Sequence, residues 1–168
     1  LAFYLYLRQT IALQQAGARQ QQALEQERLH LEDLVHERTA SLAELATHLE
    51  WPVVLLGSGK EKELCHSIAS AANAVTPGRC VDLSGRTTLD QALAVIAGAK
   101  ALVSNDSGLM HVAAAFGVPQ VALFGSSSPL HTPPLSEAAH VIWLKQDADY
   151  QPPLDCAPCF ERECPLGH

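Results

Sequence analysis

Aromatic residues make up only 5% of this 168-residue chain, and basic side chains number 11 against 18 acidic ones. The formal charge of −7 argues against a nucleic-acid surface, which needs clustered Lys and Arg to neutralise phosphates. It does not exclude a nucleotide, because backbone N–H groups hold phosphate without net positive charge. No apolar run approaches the roughly 20 residues that a membrane-spanning helix needs. The longest at the start, Leu1 to Leu7, has neither a preceding basic region nor a small-residue cleavage site, so it does not read as a signal peptide. It suits either the cytoplasmic end of a membrane helix or an exposed apolar end of a soluble chain. No G-x-G-x-x-G follows a strand pattern, which disfavours a dinucleotide-binding dehydrogenase. Gly59-Lys60 is not a phosphate-binding P-loop either, since Glu61 stands where Ser or Thr is required. Proline is missing from residues 1–50, which leaves nothing to interrupt a long helix.

What is present centres on Ser104-Asn105-Asp106-Ser107-Gly108-Leu109-Met110-His111. An apolar run at Ala101 to Val103 precedes it. A small-residue helix candidate reaches Phe116, Gly117 and Pro119 mark a stop, and a second apolar run follows at Val121 to Phe124. That order predicts strand, tight turn, helix, strand. Asn105, Asp106 and Ser107 are all good N-cap types, so the helix should start among them. A helix start carries N–H groups without intrahelical partners and a partial positive charge. After a parallel strand, with Gly108 allowing close approach, it makes a candidate phosphate cradle. His111 lies one turn beyond Gly108 and can face the same ligand. An ordinary capped helix is the alternative for this stretch.

The remaining pattern repeats the alternation. Val53 to Leu56 reads as a buried strand closed by Gly57-Ser58-Gly59, followed by a helix from about Lys60 to Asn73. Cys80 to Leu83 reads as the next strand. Thr88-Leu-Asp-Gln91 matches a capping box opening a helix that stops at Gly98. Val141 to Leu144 closes the series. Strands and helices at this pitch predict an α/β class, with a Rossmann-like parallel sheet preceded by a long N-terminal helix. Ligands of such sheets bind outside the carboxyl ends of the strands, where loops 57–61, 83–88, 104–108 and 125–134 should gather. For a nucleotide-sugar, the N–H groups of Ser107, Gly108 and Leu109 with the Ser107 hydroxyl would hold a diphosphate. Glu61 would accept from ribose hydroxyls, and Thr87 and Leu89 would line the base. The bland readings are a first-turn acidic residue for Glu61, turn chemistry for Thr87 and a helix cap for Asp106. Five cysteines is an odd number, and Cys65 and Cys80 fall in segments that read as buried. This implies a reducing compartment, the cytoplasm.

Residues 8–50 contain one glycine and are rich in Gln, Ala, Leu and Glu, which predicts one long helix. Leu31, Leu34/Val35, Leu42, Leu45 and Leu49 recur at three- and four-residue steps, interrupted by Arg38, as in a narrow coiled-coil seam. His30, His36 and His48 read as solvated. The chain therefore divides into a helix over 1–50 and a nucleotide-sugar-binding domain over 51–168 with a Cys-rich tail.

Several motifs in series carry a family resemblance. They are Val54-Leu-Leu-Gly57-Ser58, Leu83-Ser-Gly85, Asp106-Ser-Gly-Leu-Met-His111 with three alanines after it, Gly117-Val-Pro119 and Ala122-Leu-Phe-Gly125. Ser126-Ser-Ser-Pro129, Thr132-Pro-Pro-Leu135 and Asp155-Cys-Ala-Pro-Cys-Phe-Glu-Arg-Glu-Cys-Pro-Leu-Gly-His168 complete the set. From about Trp51 onward the chain resembles the ADP-heptose:lipopolysaccharide heptosyltransferases, glycosyltransferase family 9, in particular the type II branch. The resemblance implies one half of a GT-B fold, the half that binds the donor ADP-heptose. It implies Asp106, Ser107, Gly108, His111, Glu61 and Thr87 as donor-binding residues. It also implies inverting transfer without a metal or cofactor onto a heptosylated Kdo–lipid A acceptor, at the inner face of the cytoplasmic membrane. The family's catalytic Asp and most acceptor contacts belong to an N-terminal domain, and its phosphate-binding Lys precedes Trp51. Residues 1–50 do not match either feature, so the chain alone is expected to be inactive. Leu31-Glu-Asp-Leu-Val-His-Glu-Arg-Thr-Ala-Ser-Leu42 resembles instead the signalling helix of membrane sensors, which implies a dimerisation module as the alternative function. Cys156, Cys159, Cys164 and His168 have the types and spacing of a Cys3His zinc site, against a reduced loop or a disulfide.

Overall fold

The computed structural model describes residues 2–151, 153–161 and 164, with side chains described from residue 14 onward. They form two compact units that divide between Arg86 and Thr87. Unit one begins with α1 (Ala2–His48), followed by β1 (Val53–Leu55), α2 (Lys62–Val75) and β2 (Cys80–Asp82). Unit two contains α3 (Leu89–Ala97), β3 (Leu102–Asn105), α4 (Gly108–Ala115), β4 (Gln120–Phe124), β5 (Ala139–Trp143) and a 3-10 turn at Leu144–Gln146. Each element falls within a few residues of its expected place.

All strand pairs are parallel. β1 pairs with β2, Val53 opposite Cys80, and β3-β4-β5 form a second sheet with Leu102 opposite Gln120 and Gln120 opposite Ala139. The parallel sheet predicted by the alternation is thus built as a two-stranded and a three-stranded hydrogen-bonded sheet, one in each unit.

Unit one buries small residues. Ala43 and Ala46 of α1 meet Ala69 and Ala72 of α2 beside Cys80, with Val53 and Leu55 against them. Small side chains let two helix backbones approach closely. This is why the face α1 buries is Thr39, Ala43 and Ala46, and the leucine stripe Leu31, Val35, Leu42, Leu45 and Leu49 stays exposed. Thr39 satisfies its hydroxyl on the Val35 carbonyl one turn back, at 2.7 Å. Farther out, Arg28 pairs along the helix with Glu25 at 2.6 Å and Glu32 at 2.5 Å. Among the described residues, no helix is long and apolar enough to cross a membrane.

Unit two packs Met110 of α4 onto Ala122 and Phe124 of β4, all fully buried, with Trp143 alongside. The capping box at the start of α3 is complete: Thr88 Oγ1 accepts from Gln91 N at 3.3 Å, and Gln91 Oε1 accepts from Thr88 N at 2.9 Å. Gly117, at φ +67°, turns the chain out of α4 into β4.

Candidate functional site

In unit two the β3–α4 turn has the expected form. α4 starts at Gly108 and its N-cap is Ser107, in extended backbone. The cap is unusual, because the Ser107 side chain makes no bond to its own helix. Its hydroxyl lies 2.9 Å from the Ser104 hydroxyl, which also donates to the Asn105 carbonyl at 2.9 Å. The Met110 N–H turns back to the Ser107 carbonyl at 3.2 Å. The N–H groups of Gly108 and Leu109 precede the first intrahelical acceptor and have no partner among the described residues. A Cβ built on Gly108 would meet nothing within 4 Å. Gly108 is therefore uncrowded at its Cα, and it lies at the positive end of α4. His111 is exposed on the following turn.

Asp106 does not cap the helix. Its N–H continues the sheet by donating to Leu123 O at 3.1 Å, and its half-buried carboxylate accepts from the Thr132 hydroxyl at 3.1 and 3.3 Å. The pairing joins loop 104–108 to loop 125–134. Sequence reasoning picked out the Thr132-Pro-Pro-Leu135 motif but gave it no partner, since nothing local connects positions 26 residues apart.

In unit one the loops after β1 and β2 come together. Gly85, at φ +63°, donates its N–H to Gly57 O at 2.9 Å, and a Cβ there would come within 3.1 Å of Gly59 Cα. Glu61 sits on this junction. Its Oε2 accepts from Ser58 N at 2.6 Å and from the Ser58 hydroxyl at 2.5 Å. Those two bonds, the hydroxyl first, hold its carboxyl below the usual range. The Ser58-x-x-Glu61 spacing was the available signal for this pairing. In the β2 loop, Asp82 Oδ1 accepts from the Ser84 hydroxyl at 2.6 Å and from Ser84 N at 2.9 Å, and these lower its pKa too. Burial pushes the thiols of Cys65 and Cys80 up, so both stay protonated and unreactive at neutral pH.

Thr87 and Leu89 flank the α3 cap in unit two, with Thr87 half-buried and Leu89 68% exposed. The expected gathering of four loops is present as two pairs, one within each unit. Of the Cys3His arrangement, Cys156 is exposed and Cys159 half-buried, and His168 lies outside the described residues. Among the described residues, no three His, Cys, Asp or Glu side chains are grouped to hold a metal.

The family model described as Glycosyltransferase family 9 (heptosyltransferase) matches residues 35–168. Lipopolysaccharide heptosyltransferase 2 of Escherichia coli K12 is 50% identical over 109 residues, which is 65% of this chain and 31% of that protein. Its counterpart in Salmonella typhimurium gives the same figures. Among solved structures, E. coli ADP-heptose LPS heptosyltransferase II aligns with a TM-score of 0.56 and 51% identity, covering 61% of this chain and 31% of that one. A Veillonella parvula glycosyl transferase of family 9 aligns with a TM-score of 0.53 and 29% identity, covering 64% and 30%. The chain thus spans about a third of the length of these relatives. Where sequence reading put the onset of similarity at about Trp51, the family model begins at Val35, inside α1.

Proposed function

Because the chain belongs to glycosyltransferase family 9, the heptosyltransferases, we propose that it is the donor-binding part of an enzyme transferring heptose from ADP-heptose to the lipopolysaccharide inner core. The observation that carries this reading is the start of α4, where two partnerless N–H groups, a serine hydroxyl that makes no capping bond and an uncrowded glycine stand together. Ser107, Gly108 and Leu109 would bind the diphosphate, and His111 would lie one turn behind. Within unit one, Glu61 would accept a ribose hydroxyl; within unit two, Thr87 with Leu89 would border the base.

In the transfer, an acceptor hydroxyl oxygen bonds to the anomeric carbon as the bond from that carbon to the ADP oxygen breaks. The acceptor's proton goes to a general base, which the family places in a domain outside residues 51–168. The dipole of α4 stabilises negative charge growing on the departing diphosphate. That accounts for binding and leaving-group stabilisation here. The acceptor is a Kdo–lipid A heptose, which places the protein at the inner face of the cytoplasmic membrane. α1 packs into unit one through Ala43 and Ala46, and the leucine stripe it leaves exposed suits self-association.

Calorimetric titration of the purified chain with ADP and ADP-heptose tests the reading. Saturable binding of both is expected, and no binding of either at millimolar ligand refutes it.

A further inference from the structure

An aspartate two residues before a helix start ordinarily bends back onto the helix N–H groups, as an Asx turn or a cap. Asp106 stands in that position, immediately before the N-cap Ser107 and two before Gly108, and it does not do so. Its carboxylate is drawn off by one hydroxyl from a distant loop, that of Thr132, at 3.1 and 3.3 Å. We propose that Thr132 is a positioning residue that keeps the anion-binding end of α4 vacant by holding the Asp106 carboxylate away from it. The inference rests on the donor-binding reading and adds a residue to which that reading assigned no role.

Thr132 is itself well anchored. It lies on a turn built around Ser128, whose side chain is almost fully buried. Ser128 Oγ accepts from Leu130 N at 3.2 Å, and the Ser128 carbonyl accepts from His131 N at 3.1 Å and Thr132 N at 3.4 Å. From the other side, Phe160 donates its N–H to Ser126 O at 2.9 Å and sets its ring edge-on to His131, centroids 5.5 Å apart. The hydroxyl is thus presented from a braced loop. Asp106 is anchored only through its backbone, by the bond to Leu123 O, which leaves its χ angles free to respond to whatever donor is nearby.

The competing donors are the N–H groups of Gly108 and Leu109. A carboxylate seated on them would occupy the place of the diphosphate and repel it as well. Losing the Thr132 hydroxyl should therefore cost ligand affinity through Asp106, with no direct contact between Thr132 and ligand. Thr132→Val removes the donor at nearly constant volume on an exposed side chain. About a tenfold weaker ADP affinity is expected, the effect of a competing charge-assisted bond, with Thr132→Ser restoring wild-type affinity. The decisive comparison is the double mutant: in an Asp106→Ala background, Thr132→Val should change nothing further. A full effect persisting there would show Thr132 acting by another route and would overturn the proposal, as would wild-type affinity in Thr132→Val.

The unliganded protein supplies a second readout by amide NMR. In Thr132→Val the Gly108 amide should move downfield and exchange more slowly than in the wild type, as it gains the carboxylate. Unchanged Gly108 and Leu109 amides would refute the proposal even if no nucleotide binds. A wild type that binds no ADP, yet shows these amide changes on mutation, would remove the donor-binding reading and leave the positioning role standing.

Discussion

Adding one methyl group at Gly108 separates the demands of the fold from the demands of the ligand. Gly108 is the first residue of α4, its φ is not in the left-handed region, and a Cβ there meets no atom within 4 Å. The fold should therefore welcome Gly108→Ala. Replacing a helical glycine by alanine is worth about 0.5–1 kcal/mol, which raises the melting temperature by roughly 1–4 °C for a chain of this size. The ligand has the opposite interest. A diphosphate must come within hydrogen-bond distance of the Gly108 and Leu109 N–H groups, and the methyl group stands in its approach. Losing one charge-assisted bond costs about 1.5–3 kcal/mol, and tenfold in affinity is about 1.4 kcal/mol, so the dissociation constant should rise roughly 10- to 100-fold. Calorimetric titration with ADP and thermal unfolding with and without ADP measure both signs. The unliganded variant should melt higher than the wild type, and the gain conferred by a fixed ADP concentration should shrink. Unchanged ADP affinity would refute the cradle, and a lower unliganded melting temperature would mean that the space over Gly108 is not open.

Acid should weaken unit one. Glu61 and Asp82 both have pKa values lowered in the folded state by Ser58 and Ser84. Their contribution is therefore complete above the unfolded carboxylate range of about pH 4 and is lost as the pH falls through the lowered folded values. Asp82→Asn keeps the acceptor oxygen and loses the titration, so its urea midpoint should vary less between pH 6 and pH 3 than the wild type's. In unit two, Phe124→Ala empties a fully buried site beside Met110 and Ala122 and should cost about 3–5 kcal/mol by chemical denaturation. A cost below about 1 kcal/mol would show that the α4–β4 core does not depend on that ring.

How far the molecule could be read from its residues varied with the distance over which the information acts. The α3 start was legible because Thr88 and Gln91 are three residues apart and satisfy each other. The turn at Gly117 was legible because a left-handed backbone after a helix favours glycine. The β3–α4 turn was placed correctly, but Asp106, read as a cap or a donor-binding residue, pairs with Thr132, and Ser107 proved a cap residue without a capping bond. The leucine stripe of α1 was legible as a seam, but the face that α1 packs within its own unit is a different one. Periodicity shows that a stripe exists, and the alanines of α2 decide that Thr39, Ala43 and Ala46 are the residues buried.

Periodicity, turn residues and caps act within a few positions along the chain. For that reason the residues alone determined the order of strands and helices, the start of α4 after β3 and the likeness to a family that binds a sugar nucleotide. Partners far apart in the chain meet only through strand register and loop closure. Tertiary structure therefore decided that strand pairing falls into two sheets and that small residues seat α1. It decided as well that Thr132, 26 residues downstream, donates to the Asp106 carboxylate.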